Sequence, residues 1–326
     1  MQSKIFKLFF FLVGLLLFSY FLSLSDLDHI LNQIIFLGFK GFFLIFVIFI
    51  LYFGSDSVSW QMTFTSIKFN LAWAGRFFVI RMVGEAYNHI LPAASLGGEP
   101  LKAWILKKDY NVSYVDSTSA LIISKTVSML SLVILISFAF FLSLDNPQIS
   151  PNHKKAAILL LLMATFSLFA FFILQRNRFL SKIANFLIKR TSKKKLVKFL
   201  RGVKNVDKTF NIFYNLHRKR FAFSFLFASL NWFFGVFELY LIFLLLGRPL
   251  TLEEAIMLES IIQLVRTVTF FIPSAIGTQE GAFFVGSEIL LGSAELGLSA
   301  SLIRRARDLI WIFLSLLLSL KFNIKK

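Results

Sequence analysis

The sequence contains no cysteine among its 326 residues, which excludes disulfide bonds, thiolate nucleophiles and cysteine-ligated metal sites. Histidine occurs four times, at scattered positions, and acidic residues number 17 against 35 lysines and arginines. The chain also lacks the nucleophile motif Gly-x-Ser-x-Gly, the zinc motif His-Glu-x-x-His and a phosphate-binding glycine-rich loop that ends in lysine. We therefore expect no cofactor and no metal, and no residue is predicted to be catalytic; an enzyme is disfavoured and stays open as an alternative.

Apolar residues dominate what is present. Hydrophobic residues make up 57% of the chain, 43 residues are phenylalanine, and the mean hydropathy is +0.75. Several runs approach the roughly 20 apolar residues that a helix needs to cross a bilayer. The composition predicts an all-α, multi-pass membrane protein with a single membrane domain over residues 1–326. The net charge of +18 does not predict nucleic-acid binding, because cytoplasmic loops of membrane proteins collect lysine and arginine.

Six full membrane spans are predicted from the apolar runs: 8–24, 41–62, 117–144, 156–174, 221–246 and 298–320. Lys4 and Lys7 precede the first span, and Lys321 follows the last. The positive-inside rule therefore predicts that both termini lie on the cytoplasmic side of the cell membrane. The segment 25–40 is expected to be an outer loop.

Residues 176–220 form a strongly basic segment, in which 15 lysines and arginines accompany one acid, Asp207. The positive-inside rule places this segment in the cytoplasm. Apolar residues recur in it at helical spacing: Leu196, Phe199, Leu200, Val203, Phe210 and Phe213. A helix lying on an anionic leaflet is favoured, and a solvated charged loop between spans is the alternative. A third interpretation is a scaffold that docks a partner through this segment.

Two similar interruptions occur in apolar surroundings, one in each half of the chain. Pro92, Gly97 and Gly98 precede Glu99, and Pro273 and Gly277 precede Glu280, with seven residues from proline to glutamate in both copies. Proline and glycine interrupt helices, and paired interruptions in corresponding halves indicate the binding site of a transporter.

The interruptions also predict an inverted repeat. Each is expected to form a re-entrant hairpin, over 71–108 and 255–292, and the two hairpins enter the membrane from opposite sides. Repeat one then covers about 41–144 and repeat two about 221–320, which is the arrangement of inverted-repeat transporters.

Charged residues near the interruptions are the candidates for substrate binding and translocation. Glu99 and Glu280 are expected to meet near the middle of the membrane, because charges buried there usually pair or line a pathway. Cations follow each glutamate at similar distances along the chain: Lys125 in the first half, and Arg304, Arg305 and Arg307 in the second. These cations could bind a lipid phosphate, or they could form structural pairs with the glutamates.

Four further polar residues belong to the same candidate region. Glu85 and His89 stand four residues apart and share a helix face, where they could relay protons, provide half of a metal site or form a local hydrogen bond. Asn88 is expected to bond backbone groups at the break. Glu238 is expected to pair with Arg266.

The residues around the two breaks and in the last span resemble those of a known membrane family: Asn88, Leu91-Pro92, Gly97-Gly98-Glu99, Lys102, Pro273, Gly277, Glu280-Gly281 and Arg304. The chain resembles, over roughly residues 5–320, the flippase-like integral membrane family. That family includes the transmembrane region of lysylphosphatidylglycerol synthase and related hopanoid- and glycolipid-associated membrane proteins.

The resemblance implies a protein that translocates a lipid or lipid-linked molecule between leaflets, with membrane lipids of anionic headgroup as its partners. An alternative function also stays open, in which the chain is the membrane component of a lipid-modifying transferase. A separate enzyme of lipid synthesis is a possible partner. The soluble aminoacyltransferase domain of the synthase is not expected here. Lys125 stands where the family often has arginine. Because lysine cannot bind a phosphate in a bidentate manner, phosphate binding is expected to be weaker there.

Overall fold

The computed structural model describes residues 2–90, 97–144, 151–191 and 193–322, and within these ranges the chain is helical without any strand. The helices are α1 (Gln2–Ser23), α2 (Leu27–Met62), α3 (Leu71–Ile90), α4 (Gly98–Tyr110), α5 (Tyr114–Ser143), α6 (Pro151–Arg176), α7 (Phe179–Arg190), α8 (Lys194–Leu216), α9 (Arg218–Leu245), α10 (Leu252–Val268), α11 (Thr278–Leu291) and α12 (Ala294–Ser319). Short 3-10 turns lie at Pro273–Ala275 and Leu320–Phe322.

Three helices in the described part of the chain are long and apolar enough to cross a membrane: Ile30–Met62, Tyr114–Ser143 and Arg218–Leu245. Large apolar side chains also cover the outside of the bundle; Phe39 is 84% exposed and Phe166 is 76% exposed. Such a surface is unfavourable in water and matches a hydrocarbon environment. The protein is therefore a helical membrane protein, and the division into six full spans stays a prediction.

Helix α2 differs from the sequence-based prediction. Residues 27–40, expected in a loop, are helical and continue into the predicted span that begins at Gly41. Gly38 has φ 63°, which interrupts the helical conformation and bends the element there. Glycine adopts this left-handed conformation at little cost. The chain can therefore bend at Gly38 and stay helical on both sides, where a loop was expected.

Helix ends follow local capping chemistry. The Ser113 hydroxyl accepts a hydrogen bond from the backbone N–H of Asp116 and caps α5. Thr251 and Glu254 form a reciprocal capping box at the start of α10. Asn111 ends α4 in the left-handed conformation, as C-terminal caps often do. These caps fix where the helices that carry the site begin and end.

The centre of the bundle is built by α2 and α9, which pack along one another. Within each hairpin, α3 packs on α4 and α10 packs on α11. The first helix of each hairpin also packs against the last helix of the other half, α3 against α12 and α10 against α5. One apolar core lies between α9, α10, α11 and α12 and includes Leu239, Leu258 and Phe283. Another surrounds Trp60 and Phe77.

The basic segment folds into α7 and α8, which pack on each other. In α8, Leu200, Phe210 and Phe213 are buried in the protein, whereas Leu196 and Phe199 are exposed, so half of the apolar set expected at a membrane surface packs inside the protein. Helix α7 also exposes an apolar face, at Phe179, Leu180, Ile183, Phe186 and Leu187. Asp207 is fully buried and accepts a hydrogen bond from the N–H of Ser181, which joins the two helices.

Candidate functional site

A polar cavity of about 290 Å³ lies between six helices. Each helix contributes polar or aromatic residues at helical spacing: Tyr52 and Asp56 from α2, Arg81, Glu85, Asn88 and His89 from α3, Ser124, Lys125 and Ser128 from α5, Asn231 and Glu238 from α9, Glu259, Gln263 and Arg266 from α10, and Arg304, Arg307, Asp308 and Trp311 from α12. Ser274 and Ala275, from the 3-10 turn between α10 and α11, also line it. We call this space the central cavity.

Sequence reasoning did not propose Glu259, Gln263, Arg266 or Asp308 as binding residues, although a signal for them was present. Glu259, Gln263 and Arg266 stand at i, i+4 and i+7 and share one face of α10. Asp308 stands four residues after Arg304 and shares its face of α12. A polar stripe of this kind in an otherwise apolar helix points into the protein, because charged groups avoid lipid.

Arg304 connects three helices in the wall of the cavity. Its Nη2 lies 2.8 Å from Oε2 of Glu259, and its Nε lies 3.5 Å from Oε2 of Glu238. The same Nη2 donates a hydrogen bond to the carbonyl oxygen of Gly235 at 3.0 Å. The Gln263 amide donates to Glu259 at 2.7 Å. Arg304 is 3% exposed, so its charge is neutralised inside the bundle.

Other charged residues of the wall are also paired. Arg307 contacts Glu238 through Nη1 and donates to Asp308 through Nη2 at 2.7 Å. Arg81 contacts Asp56. These pairs follow the rule that charges inside a membrane protein pair with one another. They also correct a predicted pair, because Glu238 contacts Arg304 and Arg307 rather than Arg266.

Two cations of the cavity, Arg266 and Lys125, are paired less closely than these. Arg266 is half-buried, and among the described residues it makes no hydrogen bond and no ion pair. The Lys125 side chain is 52% exposed, and its Nζ reaches only Oε1 of Glu99, at 4.0 Å. The cavity therefore offers two cationic groups that an anionic ligand could contact.

Asn88 organises the first break. Its Oδ1 accepts a hydrogen bond from the N–H of Gly98 at 2.7 Å, and its amide donates to Glu85 at 3.1 Å. His89 Nε2 lies 3.9 Å from Oε1 of Glu85. Asn88 thus bonds the backbone at the first turn of α4, and Glu85 and His89 make a local contact. Pro92 lies outside the described residues.

Glu99 lies in the first turn of α4. It pairs with Lys102 at 2.8 Å, and Lys102 is fully buried beside the Trp60 ring. Gly97 is the N-cap of α4. Gly98 lies so close to Gly84 of α3 that a Cβ would sit 1.8 Å from the Gly84 carbonyl oxygen. Position 98 therefore requires glycine, because α4 packs closely against α3 there.

The second break is held by Glu280 and Arg305. Pro273 opens the 3-10 turn, and Gly277 has φ 78° at the start of α11. Glu280 is fully buried, accepts the N–H of Gly277 at 2.7 Å and pairs with Nε of Arg305 at 2.6 Å. Arg305 also donates to the carbonyl oxygens of Ser274 and Ala275, which fixes the turn to α12.

The C-terminal end of α3 contacts the 3-10 turn between α10 and α11. The Ser274 hydroxyl lies 3.1 Å from Nδ1 of His89 and donates to the His89 carbonyl oxygen at 3.3 Å. The two glutamates do not meet: Glu99 and Glu280 lie in separate ion pairs, and neither is among the residues that line the central cavity. The breaks are therefore brought together through His89 and Ser274, and a binding role for either carboxylate stays a prediction.

Comparison with known proteins identifies the family. The model of the lysylphosphatidylglycerol synthase TM region matches residues 5–316. No curated protein sequence and no solved structure matches the chain. The match and the apolar helices support a location in the membrane and a function that involves membrane lipids. The chain belongs to the family of the lysylphosphatidylglycerol synthase transmembrane region.

Proposed function

We propose that this protein translocates a lipid or lipid-linked molecule between membrane leaflets, with the headgroup passing through the central cavity. The observation that carries the proposal is the charge arrangement of this cavity. Ion pairs neutralise Arg81, Arg304 and Arg307, while Arg266 and Lys125 keep accessible positive charge. A polar space of this kind inside a membrane protein of a lipid-related family suits a headgroup whose acyl chains stay in the bilayer.

The proposed headgroup is anionic. The guanidinium of Arg266 presents N–H donors in a planar fork, which matches the oxygens of a phosphate. Lys125 provides a second positive charge on a flexible stem. Arg304 and Arg305, which the sequence also suggested for phosphate binding, are engaged by Glu259, Glu238 and Glu280. The proposal therefore moves the phosphate contacts from the arginines of α12 to Arg266.

The pattern of helix packing supports an inverted repeat of six spans and two re-entrant hairpins. If α2 to α5 correspond to α9 to α12, the packing of α3 on α12 is matched by the packing of α10 on α5. The contact between His89 and Ser274 joins the two units. In such transporters the substrate site lies at the interface of the repeats. In this proposal both termini are cytoplasmic.

Glu99 and Glu280 have an indirect role in this proposal. Each lies in the first turn of the second hairpin helix, where a carboxylate is stabilised by the backbone N–H groups and the helix dipole. Each also pairs with a cation from the following helix, Lys125 or Arg305. They would position the hairpin tips while the headgroup contacts Arg266. Movement is proposed to be passive, or coupled to a proton or an ion.

Reconstitution tests the proposal. Purified protein in vesicles that contain acyl-labelled phosphatidylglycerol should expose inner-leaflet label to a membrane-impermeant quencher, and protein-free vesicles should not. Mass spectrometry of the same lipids should show no change in mass. A protein-dependent product of altered mass, without exposure of label, would contradict translocation and favour a transferase component.

A further inference from the structure

A second space, an apolar groove of about 610 Å³, lies between α4, α5 and α6. Along α5 it is lined by Thr118, Ile122, Lys125 and Met129, which stand at i, i+4, i+7 and i+11 and so form one stripe. Lys125 is the cation in the middle of this stripe. We call this space the lateral groove.

The opposite walls of the lateral groove suit an acyl chain. Pro100 and Ala103 come from α4, and Leu168 and Phe171 come from α6. Phe171 is 47% exposed and Met129 is 38% exposed, so the groove opens at the apolar surface of the bundle. In a bilayer this surface faces lipid.

Lys125 connects the two spaces, because it lines the central cavity as well as the lateral groove. Its half-exposed ammonium lies 4.0 Å from Glu99, which is also a wall residue of the groove. Lys102 holds the same carboxylate oxygen at 2.8 Å. Glu99 is thus neutralised without Lys125, and the Lys125 ammonium is available to an anionic ligand.

A second apolar groove, of about 280 Å³, provides an internal comparison. It lies between α5, α6, α10 and α11, around Val133, Leu161 and Met257. It shares no lining residue with the central cavity, and the lysine at its wall, Lys154, donates to the Leu144 carbonyl oxygen. Only one of these two grooves therefore has a lining residue that also belongs to the central cavity.

We propose that the lateral groove is the entrance through which an anionic phospholipid reaches the central cavity, with its phosphate on Lys125 and one acyl chain along the α5 stripe. This inference rests on the proposed function and names the route and the class of ligand. The lipid phosphate replaces Glu99 as the partner of the Lys125 ammonium, and the headgroup then moves toward Arg266. The polar cavity and the apolar groove match the two parts of one amphipathic molecule.

Filling the groove tests the entrance. In reconstituted vesicles, Met129→Trp should lower the translocation rate of labelled phosphatidylglycerol at least tenfold, because the larger ring occupies the path of the chain. Ile134→Trp is the matched control: Ile134 lies on the same helix, is 58% exposed and lines none of these spaces, so its rate should stay within twofold of wild type. If Met129→Trp translocates as fast as wild type, the entrance lies elsewhere and the proposed function stands.

A binding measurement tests the groove without translocation. Phosphatidylglycerol with a photoactivatable acyl chain should cross-link to residues 118–129 in wild type and in Ile134→Trp, and at least fivefold less in Met129→Trp. Lys125→Gln should remove the preference for phosphatidylglycerol over phosphatidylcholine. Cross-links that are absent from 118–129, or unchanged in Met129→Trp, would overturn the inference whether or not the protein translocates lipid.

Discussion

Replacing Arg304 by methionine should destabilise the folded protein by about 3–5 kcal/mol, because it leaves a buried carboxylate without its partner. Arg304 is 3% exposed and Glu259 is 1% exposed, so water cannot replace the lost guanidinium. Glu259 would keep the Gln263 amide at 2.7 Å and lose the guanidinium at 2.8 Å. Glu238 would keep Arg307. The expected cost therefore comes mainly from Glu259.

A double-mutant cycle tests whether the unpaired Glu259 causes this loss of stability. Glu259→Gln removes the charge that Arg304→Met leaves unpaired, so the double variant should recover at least half of the lost free energy. Equilibrium unfolding in mixed micelles measures these differences. Arg248→Met is the control, since Arg248 is exposed beyond the end of α9 and should change stability by about 0.5 kcal/mol or less. A loss below about 1 kcal/mol for Arg304→Met, or no recovery in the double variant, would refute the reasoning.

Two further predictions concern the hairpins. Glu280→Gln should lower stability by about 1–3 kcal/mol in the same unfolding assay, because Arg305 loses its charged partner and keeps only carbonyl acceptors; an unchanged unfolding midpoint would contradict the structural role of the pair. Gly98→Ala should sharply reduce the yield of folded protein in size-exclusion chromatography, since its Cβ would sit 1.8 Å from the Gly84 carbonyl oxygen. Gly75→Ala, on α3 with nothing within 4 Å, should fold as well as wild type, and equal yields for both alanine variants would show that the close approach is not required.

Sequence reasoning reached the features that depend on local chemistry. Apolar content predicts membrane helices, and the second break occurs between α10 and α11, where Pro273 and Gly277 stand. The spacing of Lys125 from Glu99 and of Arg305 from Glu280 matches the ion pairs that the structure contains. These ion pairs can be predicted from spacing along the chain, because each joins a hairpin to the helix that follows it.

The remaining contacts depend on which helices face one another, which spacing along one helix does not specify. Glu238 was expected to pair with Arg266, but α12 packs beside α9 and supplies Arg304 and Arg307 instead. Burial of the Lys102 ammonium likewise depends on Glu99 and on the packing of α4 against α3. Similarly, only the packing of α8 on α5 and α9 buries Phe213.

The central claim is that Arg266 contacts the anionic headgroup during translocation, and the translocation rate of an Arg266→Gln variant tests it most directly. A charge-assisted hydrogen bond contributes about 1.5–3 kcal/mol, so the variant should move labelled phosphatidylglycerol roughly ten- to a hundredfold more slowly than wild type in reconstituted vesicles. Arg248→Gln, with an exposed arginine outside the cavity, should match wild type. An Arg266→Gln variant as fast as wild type would contradict the account.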